Sequence, residues 1–108
     1  MQLVVGLPAF NEEKNIAKVI LDLQKITKTI IVCNDGSSDA TSIIAEKMGA
    51  IVINHPKNLG YGSAIQSIFL KARELGSDIL VTFDSDGQHR VSDISKVVEP
   101  IVKNTSDI

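Results

Sequence analysis

Thr29-Ile30-Ile31-Val32-Cys33-Asn34-Asp35-Gly36-Ser37-Ser38-Asp39 decides the fold. The run from Thr29 to Cys33 is β-branched and almost continuously apolar, which suits a strand covered on both faces rather than one facing water. It passes directly into a polar turn, and Ile43, Ile44 and Met48 then recur at helical spacing until Gly49. Asp39 is placed to cap that helix, and Gly49 to stop it. Strand, polar loop and helix in that order make one unit of a parallel α/β sheet.

Working outward, the unit repeats. Leu3 to Leu7, Ala50 to Asn54 and Asp78 to Phe83 are further buried strands. Ile16, Val19, Ile20 and Leu23 form one helical stripe, with Glu12 and Glu13 in its opening turn. Ala64, Ile65, Ile68, Phe69, Ala72 and Leu75 form another, ended by Gly76. A fourth helix is expected from near Ser92 through Ile94, Val97, Val98 and Ile101, broken or kinked by Pro100. The order βαβαβαβα calls for a parallel sheet with right-handed crossovers.

Composition narrows the class. At 108 residues the chain fits one domain, 1–108. It is 44% hydrophobic with a formal net charge of −2, neither a disordered chain nor a basic nucleic-acid surface. A lone cysteine rules out a disulfide framework and is compatible with a reducing compartment. No apolar run approaches the roughly 18 residues that span a bilayer. Met1-Gln2-Leu3-Val4-Val5 lacks the basic flank of a signal peptide and reads as strand. A cytoplasmic α/β domain is expected.

Ligands of open parallel sheets bind beyond the carboxyl ends of the strands. Four polar loops fall there: Pro8 to Glu13, Asn34 to Asp39, His55 to Gly62 and Asp84 to His89. The turns at the other edge are brief and chemically plain. Asp84 and Asp86, leaving a buried strand at i and i+2, can converge on one divalent ion, Mg²⁺ or Mn²⁺, with Gln88 adding a carbonyl oxygen. The same Asp-Ser-Asp-Gly can also be a simple turn. Asp35 can accept from a base imino group or a ribose hydroxyl, or can serve as a cap. Asn58-Leu59-Gly60-Tyr61-Gly62 is either a phosphate cradle or a flexible helix start. His55 and His89 are weak metal candidates expected to be solvated. Cys33 is expected to be a small buried apolar residue.

Pro8-Ala9-Phe10-Asn11-Glu12-Glu13, Asn34-Asp35-Gly36-Ser37-Ser38-Asp39, Asn58-Leu59-Gly60-Tyr61-Gly62-Ser63-Ala64 and Asp84-Ser85-Asp86-Gly87-Gln88-His89 together resemble the family 2 glycosyltransferases. The similarity is to the dolichol-phosphate mannose synthase-like and polyprenyl-phosphate sugar transferase branch. It covers almost the whole chain; each motif alone is weak, and four in order are specific. The resemblance implies the nucleotide-binding half of a GT-A fold, a Rossmann-like sheet of order 3-2-1-4 flanked by helices. It implies a GDP- or UDP-sugar donor, a divalent ion, inverting transfer and an acceptor such as a lipid phosphate, with the complete enzyme membrane-associated.

Carried over by residue, Pro8, Phe10 and Glu12 resemble nucleotide-binding positions, and Cys33 (through its backbone) and Asp35 resemble base-binding ones. Asp84 and Ser85 match contacts with the nucleotide and its ion. Asp86 matches the principal metal ligand and Gln88 a further one. Asn34 stands where the family often has a second Asp, and Tyr61 where it frequently has Lys. Family members are longer, so the chain is expected to hold only the donor half, with the general base outside it. The edge Ile79-Leu80-Val81-Thr82-Phe83 is then expected to be bare and to drive self-association. Two alternatives are a non-catalytic nucleotide-binding or assembly module and a haloacid-dehalogenase-like phosphatase using Asp84 as nucleophile.

Overall fold

A computed structural model of the chain describes residues 2–83 and 98–100. The elements are β1 (Leu3–Ala9), α1 (Ile16–Leu23), β2 (Thr29–Asp35), α2 (Thr41–Lys47), β3 (Ile51–His55), α3 (Tyr61–Glu74), β4 (Ile79–Thr82) and β5 (Val98–Pro100). They form one sheet of order β3-β2-β1-β4-β5. The first four strands are all parallel in the expected order 3-2-1-4, a Rossmann-like α/β sheet flanked by helices.

The alternation of each strand assigns its residues to two layers. Val5, Leu7, Ala9, Ile30 and Val32 pack with Ile16, Val19, Ile20 and Leu23 of α1 and Ala45 of α2. Val4, Ile31, Cys33 and Leu80 pack with Ala64, Ile68 and Ala72 of α3. On that second face α3 comes so close that a Cβ on Gly6 would lie 2.3 Å from Ile68 Cγ2. Only a glycine at the centre of β1 lets the helix settle there.

β1 is a central strand, yet it contains Pro8. The Gly6 carbonyl accepts from the Phe83 amide at 2.9 Å, so alternate residues of β1 turn their backbone groups toward β4. The β1–β4 register ends at Gly6 opposite Thr82. The missing amide of Pro8 therefore falls beyond that register, at the end of the β1–β4 ladder, where it costs least.

Four expectations need correction. Val98 lies in β5, antiparallel to β4 with Leu80 opposite Glu99, and not in a fourth helix. Proline is tolerated at such an edge because an outward amide has no partner to lose. Ser92, Ile94, Val97 and Ile101 lie outside the described residues. Pairing with β5 also covers the β4 edge on which self-association was expected to rest, so the bare edge is gone. Glu12 and Glu13 stand before α1 rather than in its first turn, because the helix begins at Ile16. Finally, Ile43 is 58% exposed and Leu75 36% exposed, off the core faces. In α2, a seven-residue helix, Thr41 and Ala45 face inward and Ile44 and Met48 cover the core rim.

Candidate functional site

β1, β2 and β3 all run toward one edge, and their loops are tied to one another there. The first tie joins the loop after β1 to the loop after β2. Asn11, whose φ of 53° is left-handed, donates its amide to Ser37 Oγ at 2.8 Å, and its Oδ1 accepts from the Ser38 amide at 2.9 Å. Asparagine tolerates that backbone better than other side chains. The Glu12 amide donates to Thr41 Oγ1 at 2.9 Å. Glu13 and the start of α2 exchange bonds, the Glu13 amide to Asp39 Oδ2 at 3.2 Å and the Ala40 amide to Glu13 Oε1 at 3.1 Å.

Asp39 stands one residue before the N-cap of α2, which is Ala40, so the expected capping position is displaced by one. The Asp39 carboxylate accepts from the Thr41 amide at 3.0 Å and from the Thr41 hydroxyl. Desolvation opposes its charge, but the Thr41 hydroxyl and amide and the Glu13 amide outweigh that and hold its pKa below the ordinary carboxylate value.

The second tie joins the loop after β2 to the loop after β3. Gly36, at φ 77°, is where the two touch: a Cβ there would lie 2.4 Å from the Asn58 amide nitrogen and 2.4 Å from the Lys57 carbonyl carbon. No other residue provides both that φ and that clearance. Asn34 donates to Asn54 Oδ1 at 3.0 Å and accepts from the Ser37 amide at 3.1 Å.

Asp35 is the centre of this second tie. It is buried at the end of β2, level with His55 of β3. Its Oδ1 accepts from His55 Nδ1 at 2.8 Å and from the Leu59 amide at 2.9 Å. Its Oδ2 accepts from the Gly60 amide at 3.0 Å. Burial raises its pKa, but these donors together with the His55 ring outweigh it and lower the pKa below the ordinary value. Asp35 is thus a charged acceptor held in a fixed orientation.

His55 is not the solvated loop histidine expected from the sequence. Its side chain is 10% exposed. Because a carboxylate only accepts, Nδ1 carries the proton toward Asp35, and Nε2 meets Ser67 Oγ at 2.9 Å. Cys33 Sγ lies 3.6 Å from Nε2. Cys33 is fully buried, as expected, and burial first, then the Asp35 charge, push its thiol up to about 11. It is therefore a neutral thiol at physiological pH, not a nucleophile.

The cradle expectation for Asn58 to Gly62 also changes form. The Leu59 and Gly60 amides are directed at Asp35, so the loop is clamped by a carboxylate of the chain itself. Of the other carried-over positions, Pro8 is half-buried opposite Cys33, Glu12 is half-buried with Oε1 accepting from Asn15 Nδ2, and Phe10 is 46% exposed at the rim. Asp84, Ser85, Asp86, Gln88 and His89 lie outside the described residues. Among the described residues, no three His, Cys, Asp or Glu side chains form a metal-holding group.

Sequence reasoning missed Asn11, Thr41 and Ser67, and misjudged His55. A usable signal existed for the last two: parallel pairing of β2 with β3 sets His55 beside Asp35, and Ser67 lies one residue from the buried Ile68 on α3.

Known proteins share this fold. Glucosyl-3-phosphoglycerate synthase from Mycobacterium tuberculosis, solved with UDP, superposes with a TM-score of 0.68 at 32% identity, over 79% of this chain and 34% of that one. The same enzyme solved with Mn²⁺, UDP-glucose and phosphoglyceric acid superposes at 0.67. The UDP-N-acetylglucosamine--dolichyl-phosphate N-acetylglucosaminyltransferase of Methanococcus voltae is 39% identical over 94% of this chain and 47% of its own length. The dolichyl-phosphate hexose transferase of Haloferax volcanii is 36% identical over 92% of this chain and 42% of its own. The chain spans 42 to 49% of the length of three curated relatives. Residues 4–108 match the model of the family described as "Glycosyl transferase family 2". With that match running from the first strand through all four polar loops, on a sheet shared with GT-A enzymes, the chain belongs to glycosyl transferase family 2.

Proposed function

We propose that the chain binds a nucleotide-diphosphate sugar through a divalent cation and supplies the donor half, within one domain over residues 1–108, of an inverting sugar transfer to a polyprenyl phosphate. The observation that carries this is the built edge around Asp35, where three loops are fixed by side-chain hydrogen bonds before any ligand arrives. Preorganised acceptors of this kind orient a ligand without reordering at the moment of binding. Relatives named for dolichyl-phosphate transfer, and a structural neighbour holding UDP-glucose with Mn²⁺, support the substrate class.

Within this reading the described residues have distinct roles. Asp35 accepts from the base. Pro8, Phe10 and Glu12 line the nucleotide beside it, with Phe10 exposed to offer an apolar surface. The backbone of Cys33 completes the base pocket. β4 runs parallel to β1 and brings Phe83 to the same edge, so Asp84, Ser85, Asp86 and Gln88 follow directly from it in sequence. Ser85 contacts the nucleotide. Asp84, Asp86 and Gln88 form a hard-oxygen set that suits Mg²⁺ or Mn²⁺ and would hold it. Without a cation, one carboxylate and one phosphate charge 4 Å apart repel by about 4 kcal/mol at an effective dielectric near 20. When bound, the metal neutralises the diphosphate charge that develops as the sugar departs. The general base and acceptor pocket belong to a part of the enzyme beyond this half. Transfer to a lipid phosphate would bring the cytoplasmic enzyme to a membrane surface; among the described residues no helix is long and apolar enough to cross one.

Calorimetric titration of UDP and of GDP, with and without Mn²⁺, tests the reading. Metal-dependent binding that Asp86→Ala abolishes is expected; equal affinity without metal overturns it. Sugar transfer to a polyprenyl phosphate by the 108-residue chain alone would overturn the donor-half assignment.

A further inference from the structure

The hydrogen bonds around Asp35 carry an inference about which base the edge reads and which residue makes it do so. A carboxylate offers about four acceptor positions, two on each oxygen. The Leu59 amide and His55 Nδ1 take both on Oδ1, and the Gly60 amide takes one on Oδ2. Among the described residues, one acceptor position remains, on Oδ2. Uracil presents a single imino donor, N3–H, between two carbonyl oxygens. Guanine presents two adjacent donors, N1–H and N2–H₂, which pair with a carboxylate only when both oxygens are open.

We infer that His55 is the positioning residue for base reading: it holds Asp35 so that one acceptor faces the ligand, and the site takes a uridine nucleotide over a guanosine one. His55 is itself held from behind. Ser67 Oγ of α3 meets Nε2 at 2.9 Å, so the ring is fixed between two elements that both pack in the α3 layer. The side chain of Asp35 is 7% exposed and that of His55 10%, which keeps water from competing for the Oδ1 bond. The inference rests on the donor-site reading proposed above.

The test uses UDP and GDP, which carry the same diphosphate, so their affinity ratio isolates the base. With Mn²⁺ present, the wild-type chain is expected to bind UDP at least about tenfold more tightly than GDP, the worth of one charge-assisted hydrogen bond. His55→Ala, which leaves an acceptor position open on each oxygen, is expected to erase that preference through tighter GDP binding. His55→Asn, whose Nδ2 reaches the position of the lost Nδ1, is expected to restore it. A purely structural histidine would weaken both nucleotides by the same factor, and that result overturns the inference. Unchanged affinity for both does the same. Binding of neither nucleotide by the wild-type chain instead overturns the donor-site reading. Should His55→Ala fail to fold, ¹⁵N NMR of the wild-type imidazole decides: a proton on Nδ1 that persists on adding UDP supports the assignment, and an unprotonated Nδ1 overturns it.

Discussion

The two faces of the sheet are packed by different rules. On the face covered by α1 and α2, aliphatic side chains continue from Val5 and Ile30 through Leu7 and Val32 to Ala9, and polarity begins only at Asn34. On the face covered by α3, the packing thins to Gly6, Ala64 and Ala72 and then gives way to Cys33, Asp35, His55 and Ser67. The first face is held by burial, which tolerates any shape that fills the space. The second is held by a close helix approach and by directional bonds, so it fixes the orientation of one carboxylate at the edge. Both faces bury aliphatic side chains, but the directional bonds that orient Asp35 belong to the second.

The largest effect should come from the aliphatic face. Leu7→Ala removes a fully buried side chain and is expected to destabilise the fold by about 2–5 kcal/mol in urea denaturation. A loss below about 1 kcal/mol would mean that the face collapses around the void and is not the rigid layer described. Next comes the close approach on the α3 face. Gly6→Ala forces Cβ into Ile68, whose branched Cγ2 has no free rotation away, and is expected to cost about 1–3 kcal/mol. Adding Ile68→Ala should recover part of that loss, and strict additivity of the two substitutions would contradict the contact.

The smallest effect appears only in acid. Asp35 has a folded pKa below its unfolded value near 3.8, so its contribution is fully present above that value and is lost as pH falls through the lower folded one. Asp39 shifts in the same direction and overlaps it. Stability measured from about pH 5 downward should fall in the wild-type chain and fall less steeply in Asp35→Asn. Identical slopes would show that the bonds from Leu59, His55 and Gly60 do not favour the charged form.

Much of the fold is legible in the chain's own residue order, and the physical reason is locality. A strand such as Ile30-Ile31-Val32 and a stripe such as Ile16, Val19, Ile20 and Leu23 advertise themselves through the spacing of neighbouring residues, so element order, the parallel sheet and the edge where polar loops gather follow from the chain alone. Cys33 as a buried thiol is equally local. The family motifs add the donor chemistry because they are short and fall in order along the chain.

What the tertiary structure decided is everything that depends on residues brought together from a distance. Helical spacing around Val98 lost to pairing with β4, because an open strand edge offers backbone bonds that a helix interrupted by Pro100 does not. Ile43 faced outward because a seven-residue helix resting on the rim buries only Thr41 and Ala45. His55 left the solvent because parallel register set it beside Asp35 while α3 delivered Ser67 to its other nitrogen. Sequence specifies which groups exist and in what order. Which acceptor is left open on Asp35 is a count over four residues spread between positions 35 and 60, and only the folded chain makes that count.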